Sequence, residues 1–175
     1  MGMEFKHILF TSDLTAGARR VFDHAVSLAD KYGAKITIIH VVEEVPASVK
    51  MALGSILDKG RLDELRAKYK DEALTTLVGK SRERTIIREG LEMFCQDAMA
   101  DQPECRVEPP DNVIVKEGNV IDEIIDQVKT YGCDLIVMGA HRMGRIEEVV
   151  VGSVVRGVLN KADVPVFVVP MRKED

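Results

Sequence analysis

Short apolar runs and segments of helical periodicity take turns along this chain. His7 to Thr11 (H-I-L-F-T) is an apolar run of strand length that ends in the polar turn Ser12-Asp13-Leu14-Thr15. Ala18, Val21, Phe22, Ala25, Val26 and Ala29 then recur at helical spacing, which predicts an amphipathic helix. Thr15 is its expected N-cap, since the hydroxyl can accept from a free first-turn N–H. Gly33 is its expected stop, a residue that tolerates the left-handed conformation. Lys35 to Val42 (K-I-T-I-I-H-V-V) is a second strand. Strand, helix, strand makes a βαβ unit, and the crossover makes the two strands parallel.

The stretch from Glu43 to Pro110 breaks this rhythm. Leu62, Leu65, Tyr69, Ala73 and Leu77 mark one helical face, and Ile87, Leu91, Phe94 and Ala98 mark another. Gly79 and Gly90 argue against one unbroken helix. The expectation is a loop from Glu44 to Gly60, then a helical excursion, then a proline-rich connector from Asp101 to Pro110. The alternation resumes with a strand from Asn112 to Lys116. Asn119 is placed to cap a helix with Val120, Ile121, Ile124, Ile125 and Val128 on one face, and Gly132 to end it. Asp134 to Met138 (D-L-I-V-M) reads as a strand buried on both faces. A helix follows from about Val154 to Lys161, with Val154, Val155, Val158 and Leu159 inward, and Val164 to Val169 is the last strand. This order predicts an α/β fold, a doubly wound five-stranded parallel sheet, as one domain over residues 1–175. Residues 44–110 form its loop and helical excursion, between strands two and three.

A chain of 175 residues suits one domain with a real core. With no Trp and only 5% aromatic residues, that core must be built from Val, Ile, Leu, Ala and Met. The net charge is -5 and the Lys and Arg residues are scattered among acids, so no nucleic-acid partner is expected. No apolar run reaches the ~20 residues that span a bilayer, and the N-terminus lacks a signal peptide's apolar core. The expected protein is cytoplasmic, with no membrane partner. Three widely spaced cysteines describe neither a disulfide framework nor a zinc site. Cys133 reads as a small buried residue, and a Cys95–Cys105 bridge is not expected in a reducing compartment. No histidine pair has metal-ligand spacing, so no metal site is expected.

In open parallel sheets, ligands bind outside the carboxyl ends of the strands, near the point where strand order reverses. Three groups fall there: Ser12-Asp13, Val41-Val42, and the segment from Gly139 to Ser153. The last favours an anion. Gly139 lets the chain turn immediately after the fourth strand without a Cβ clash. Gly152 lets the backbone approach a phosphate, and Ser153 opens a helix whose first N–H groups are free donors. The helix dipole adds about 0.3–1 kcal/mol of preference for negative charge. Asp13 suits a ribose hydroxyl or a phosphate-bound Mg²⁺. A Gly after a strand and a Ser at a helix start are also ordinary punctuation, so these residues alone leave both readings open. His141 either touches phosphate or faces solvent, His40 reads as a hydrogen-bonded strand residue, and the Glu147-Glu148 pair as solvent-facing. The P-loop, the nucleophile elbow and the dinucleotide fingerprint are missing, and no base or catalytic Lys is identifiable. These residues lead to no expected enzymatic activity.

Three stretches of this chain resemble the universal stress protein family. They are K-H-I-L-F-T-S-D-L-T, I-I-H-V-V, and D-L-I-V-M-G-A-H-R-M-G-R-I-E-E-V-V-V-G-S-V running on into A-D-V-P-V-F-V-V-P. The likeness spans nearly the whole chain outside residues 44–110. It implies an adenine nucleotide alpha hydrolase-like fold. One branch of the family binds ATP through a G-x2-G-x9-G-[S/T] motif, so the resemblance also implies ATP, with Mg²⁺, and at most weak ATP hydrolysis. Gly139, Gly152 and Ser153 fall on that pattern, but Arg142 replaces the second glycine and Gly144 lies two positions further on. Arg142 either folds over a phosphate with charge-assisted hydrogen bonds or fills the space the ligand needs. Carried over by position, Asp13 meets the ribose, Val41 offers backbone groups to adenine, and Gly139, Gly152, Ser153 and Val154 surround the phosphates. Thr11, where many relatives have Pro, completes the cofactor-binding candidates with Met138, His141, Arg142 and Gly144. The resemblance implies a nucleotide-binding regulatory protein of the stress response. Arg142 motivates the alternative, a dimeric interaction module of the same fold that has lost nucleotide binding. Val164 to Val169, placed by the family's strand order at the sheet edge, implies a homodimer through that strand, because an uncovered apolar edge is a liability.

Overall fold

The computed structural model describes residues 4–43, 83–141 and 152–171. Strand β1 (His7–Thr11) leads to helix α1 (Ala18–Tyr32) and strand β2 (Lys35–Glu43). A helix over residues 83–100, α2, precedes strand β3 (Asn112–Gly118). Helix α3 (Val120–Tyr131), strand β4 (Leu135–His141), helix α4 (Ser153–Lys161) and strand β5 (Val166–Met171) complete the order. All strand pairs are parallel, and the sheet runs β3-β2-β1-β4-β5. The chain therefore steps outward from β1 to β3, then returns to lay β4 against the other side of β1.

The sheet is covered on both faces. Strand side chains alternate between the faces, and Ile8, Phe10, Ile36, Ile38 and Val137 join the fully buried faces of α1 and α2. Leu9, Ile39, Ile136 and Met138 join Ile124 and Val158, from α3 and α4. Central strands buried on both sides explain the unbroken apolar runs in β1, β2 and β4. Gly33 and Gly132 end α1 and α3 with φ of 64° each, a conformation costly for a residue with a Cβ. Asn119 caps α3, its side chain accepting from the amides of Ile121 and Asp122. Helix α2 buries Leu91, Cys95 and Ala98, with Ile87 and Phe94 packed alongside. Polar ties hold its end to α1. Arg19 Nη2 donates to Asp101 Oδ2 at 2.9 Å, and Gln102 Nε2 donates to Asp23 Oδ1 at 3.0 Å. Among the described residues no helix is long and apolar enough to cross a membrane.

Several expectations need correction. Thr15 is not the N-cap of α1. Gly17 holds that position without a side-chain cap, because the Thr15 hydroxyl donates to Asp13 Oδ1 at 2.7 Å instead. Strand β4 does not stop at Met138 but continues to His141, paired with β5. The last strand is Val166–Met171 rather than Val164 to Val169. Pro165 has no N–H for a ladder, although its carbonyl accepts from Ile136 at 3.0 Å. Leu159 is exposed rather than inward. The expected loop over residues 44–60, the face Leu62 to Leu77 and the Glu147-Glu148 pair lie outside the described residues.

Candidate functional site

A cleft of about 570 Å³ opens at the carboxyl ends of the strands, where the strand order reverses between β1 and β4. Every described residue of the candidate set lines it. Thr11 and Asp13 come from the end of β1 and Val41 from β2. Met138, Gly139 and His141 come from β4, and Gly152, Ser153 and Val154 from the start of α4. Arg142 and Gly144 lie outside the described residues.

Strand alternation sorts the walls. Ile39, Val41 and Met138 project toward α3 and α4, where Val120, Ile124 and Val155 meet them in an apolar slot. At its rim the backbone becomes available. The Ser12 amide donates to the Ile39 carbonyl at 2.9 Å, and there the β1 ladder ends. Amide groups two residues apart on a strand point to the same edge, so those of Val41 face the opening beyond β1.

Helices α1, α3 and α4 each start at this end of the sheet. In α1 the first amides are engaged by the preceding turn: Ala18 N–H donates to Thr15 at 3.0 Å and Arg19 N–H to Ala16 at 3.4 Å. In α3, Asn119 takes two of them. In α4, Gly152 provides no side-chain cap, and its carbonyl accepts the helix's first i→i−4 bond from Arg156 at 3.0 Å. The amides of Ser153, Val154 and Val155 precede that bond and have no intrahelical acceptor. Among the described residues, a Cβ built on Gly152 would meet nothing within 4 Å. Donors and dipole together suit an anion.

Asp13 and His141 face each other across the reversal point. Asp13 Oδ1 accepts from the Thr15 amide at 3.0 Å and the Thr15 hydroxyl at 2.7 Å, while His141 Nε2 donates to Oδ2 at 2.5 Å. Partial burial pushes the Asp13 carboxyl up. The two Thr15 donors and the His141 ring outweigh it and hold the carboxyl below its ordinary value of 3.8.

Gly139 has another reason than the expected turn. It sits inside β4, paired with Val169. A Cβ there would come within 2.7 Å of Met171 Sδ and 3.0 Å of Val21 Cγ2, so the glycine makes room for Met171 at the cleft floor. His40, read from sequence as a strand residue, lines the cleft, and its Nδ1 donates to the Ser12 carbonyl at 2.8 Å. That bond pins the turn carrying Asp13. Glu43 and Arg156 also line the cleft and were not anticipated. Glu43 was findable, since it follows Ile39 and Val41 at the two-residue period of one strand face. The described cysteines are all free, and burial, aided by the charges of Glu92 and Asp134, pushes the Cys95 and Cys133 thiols up to about 12. Neither is a thiolate at neutral pH, so neither is activated as a nucleophile.

The model of the universal stress protein family matches residues 4–170. Universal stress protein MJ0577 of Methanocaldococcus jannaschii is 22% identical over 97% of this chain and 97% of its own length. A solved structure of MJ0577 superposes with a TM-score of 0.60 at 18% identity, over 98% of this chain and 100% of that one. A universal stress protein in complex with cAMP gives a TM-score of 0.55 at 14% identity, over 95% and 98%. The universal stress protein of Archaeoglobus fulgidus in complex with dAMP gives 0.51 at 19%, again over 95% and 98%. The shared architecture is the adenine nucleotide alpha hydrolase-like fold.

Proposed function

The chain belongs to the universal stress protein family, and we propose that its cleft binds an adenine nucleotide, ATP, as the ligand of a cytoplasmic regulator of the stress response. The observation that carries this reading is the start of α4 beside an apolar slot: amides without an intrahelical acceptor for phosphate and apolar walls for a base, in one cleft. The cAMP and dAMP held by two proteins of this fold support it.

The adenine ring lies between Ile39 and Val41 on one side and Val120 and Ile124 on the other, with the Val41 amide groups toward its edge. The phosphates meet the amides of Ser153 to Val155, Gly152 admits them, and the Ser153 hydroxyl adds a donor. Asp13 accepts from the ribose. Among the described residues no group of three or more His, Cys, Asp or Glu side chains could hold a metal ion, so Mg²⁺ arrives bound to the phosphates. A second copy pairs with the β5 edge to form a homodimer.

The test is direct. Denaturing the purified protein and examining the supernatant by mass spectrometry should release adenine nucleotide, and calorimetric titration with ATP-Mg²⁺ should give heat of binding. Neither released nucleotide nor heat would sink the proposal and leave a dimeric interaction module. Arg142→Gly restores the motif's second glycine, and a large gain in ATP affinity would assign the arginine an obstructing role.

A further inference from the structure

We infer that His141 competes with a bound sugar for Asp13, so that this site discriminates ligands by the number of hydroxyls they bring to one carboxylate; the inference rests on the nucleotide reading above. A carboxylate offers roughly four lone-pair positions. At Asp13, Oδ1 already accepts two hydrogen bonds, from the Thr15 amide and the Thr15 hydroxyl. Oδ2 accepts a third, from His141 Nε2. One position remains, on the atom His141 already holds.

Ribose presents two neighbouring hydroxyls and 2′-deoxyribose presents one. A single hydroxyl can share Oδ2 with the imidazole. A pair cannot, so one existing donor must leave. Thr15 is held in place, because its amide and hydroxyl close a turn with a residue two positions away in the same loop. His141 is the group free to yield. It belongs to a different strand, 128 residues along the chain, and its side chain is 58% exposed. His40 is committed to the Ser12 carbonyl and does not reach Asp13. His141 thus offsets the advantage that a second hydroxyl would otherwise give. The intact protein binds ribose and deoxyribose forms almost equally, and removing the imidazole exposes a preference for ribose.

Calorimetry with adenosine 5′-monophosphate and its 2′-deoxy analogue tests this, because the ratio of the two affinities cancels whatever the shared phosphate contributes. The ratio should lie within about twofold in the unaltered protein. It should rise to about three- to tenfold in favour of ribose in His141→Ala, the net worth of one hydrogen bond. His141→Phe keeps the ring's bulk without its nitrogens and should behave the same way. In the double variant Asp13→Asn/His141→Ala the ratio should return to that of Asp13→Asn alone, since both effects act through one carboxylate. An unchanged ratio in both His141 variants would overturn the inference, as would a rise that survives in the double variant. If the unaltered protein and all its variants bind neither nucleotide nor ATP, the nucleotide reading itself falls and takes this inference with it.

Discussion

Gly152 and Gly139 belong to one sequence motif and do different things. A Cβ on Gly152 would meet none of the described residues within 4 Å, and its φ of -59° and ψ of 160° suit any residue. Gly152→Val should therefore leave stability within about 0.5 kcal/mol while lowering ATP affinity at least about tenfold, because the branched side chain stands before the α4 amides. Thermal unfolding and calorimetry on the same sample check both halves, and unchanged affinity would put the ligand elsewhere. Asp13 yields a second prediction. Its folded carboxyl ionises more readily than an unfolded one, so its contribution is complete at neutral pH and is lost as the pH falls through the lowered folded value. The difference in melting temperature between the protein and Asp13→Asn should shrink toward zero as the pH falls from neutral through the ordinary carboxylate value of 3.8 and below it. A constant difference would mean that the Thr15 and His141 bonds add nothing to folding. Sequence showed that Asp13 and Thr15 share a polar turn but not which would serve the other. The Asp13 carboxylate won the Thr15 hydroxyl, and the helix was left to begin at Ala18 without a side-chain cap. The partner that explains Gly139 lies 32 positions along the chain, in a strand whose last residues carry no periodic signal.

At the scale of elements, the strands and helices that border the cleft were legible because each satisfies a local rule. Apolar runs in β1, β2 and β4 are buried on both faces, and α3 is bracketed by Asn119 and Gly132. The boundaries set by distant contacts were not legible. Strand β4 runs on through Gly139 because β5 lies alongside it, and β5 starts late because of Pro165. The contact between α3 and α4 was hidden in the same way. Gly157 in α4 lies so close to α3 that an added Cβ would fall 2.9 Å from Ile121 Cγ1, and closer still to Cδ1. Gly157→Ala should destabilise the fold by about 1–2 kcal/mol through overpacking, despite its better helix propensity. In an Ile121→Ala background the clash is gone, and the same change should stabilise by up to about 1 kcal/mol. Chemical denaturation of the four proteins measures the reversal, and loss of stability in both backgrounds would show that the Ile121 contact is not its cause. Relieving that contact by shifting α4 away from α3 would move the amides at its start, so Gly157→Ala should also weaken ATP binding.

At the scale of the molecule, the two sheet edges are unequal. Strand β3 closes one edge with Lys116 and Glu117 near its end, and charge on an edge strand discourages further pairing. Strand β5 closes the other with Val166, Phe167, Val168 and Val169. Its Pro170, lacking an N–H, suits an edge strand. Phe167 is 40% exposed on that edge strand, beside the His24 ring at 6.0 Å. Pairing with the same strand of a second copy would satisfy the edge backbone and cover Phe167 at once, with the two-fold symmetry that most homodimers show. Sedimentation at micromolar concentration should give a dimer, and Phe167→Asp should give a folded monomer, since two like charges would meet at the symmetric contact. A monomer before the substitution would remove the homodimer from the proposed function. The cleft and this edge also share a residue, because Met171 ends β5 and fills the notch beside Gly139. If the edge is paired in solution, Phe167→Asp should therefore lower ATP affinity as well as molecular mass, although the substituted side chain lies outside the cleft. Unchanged affinity in the monomer would show that assembly and the ligand site are independent.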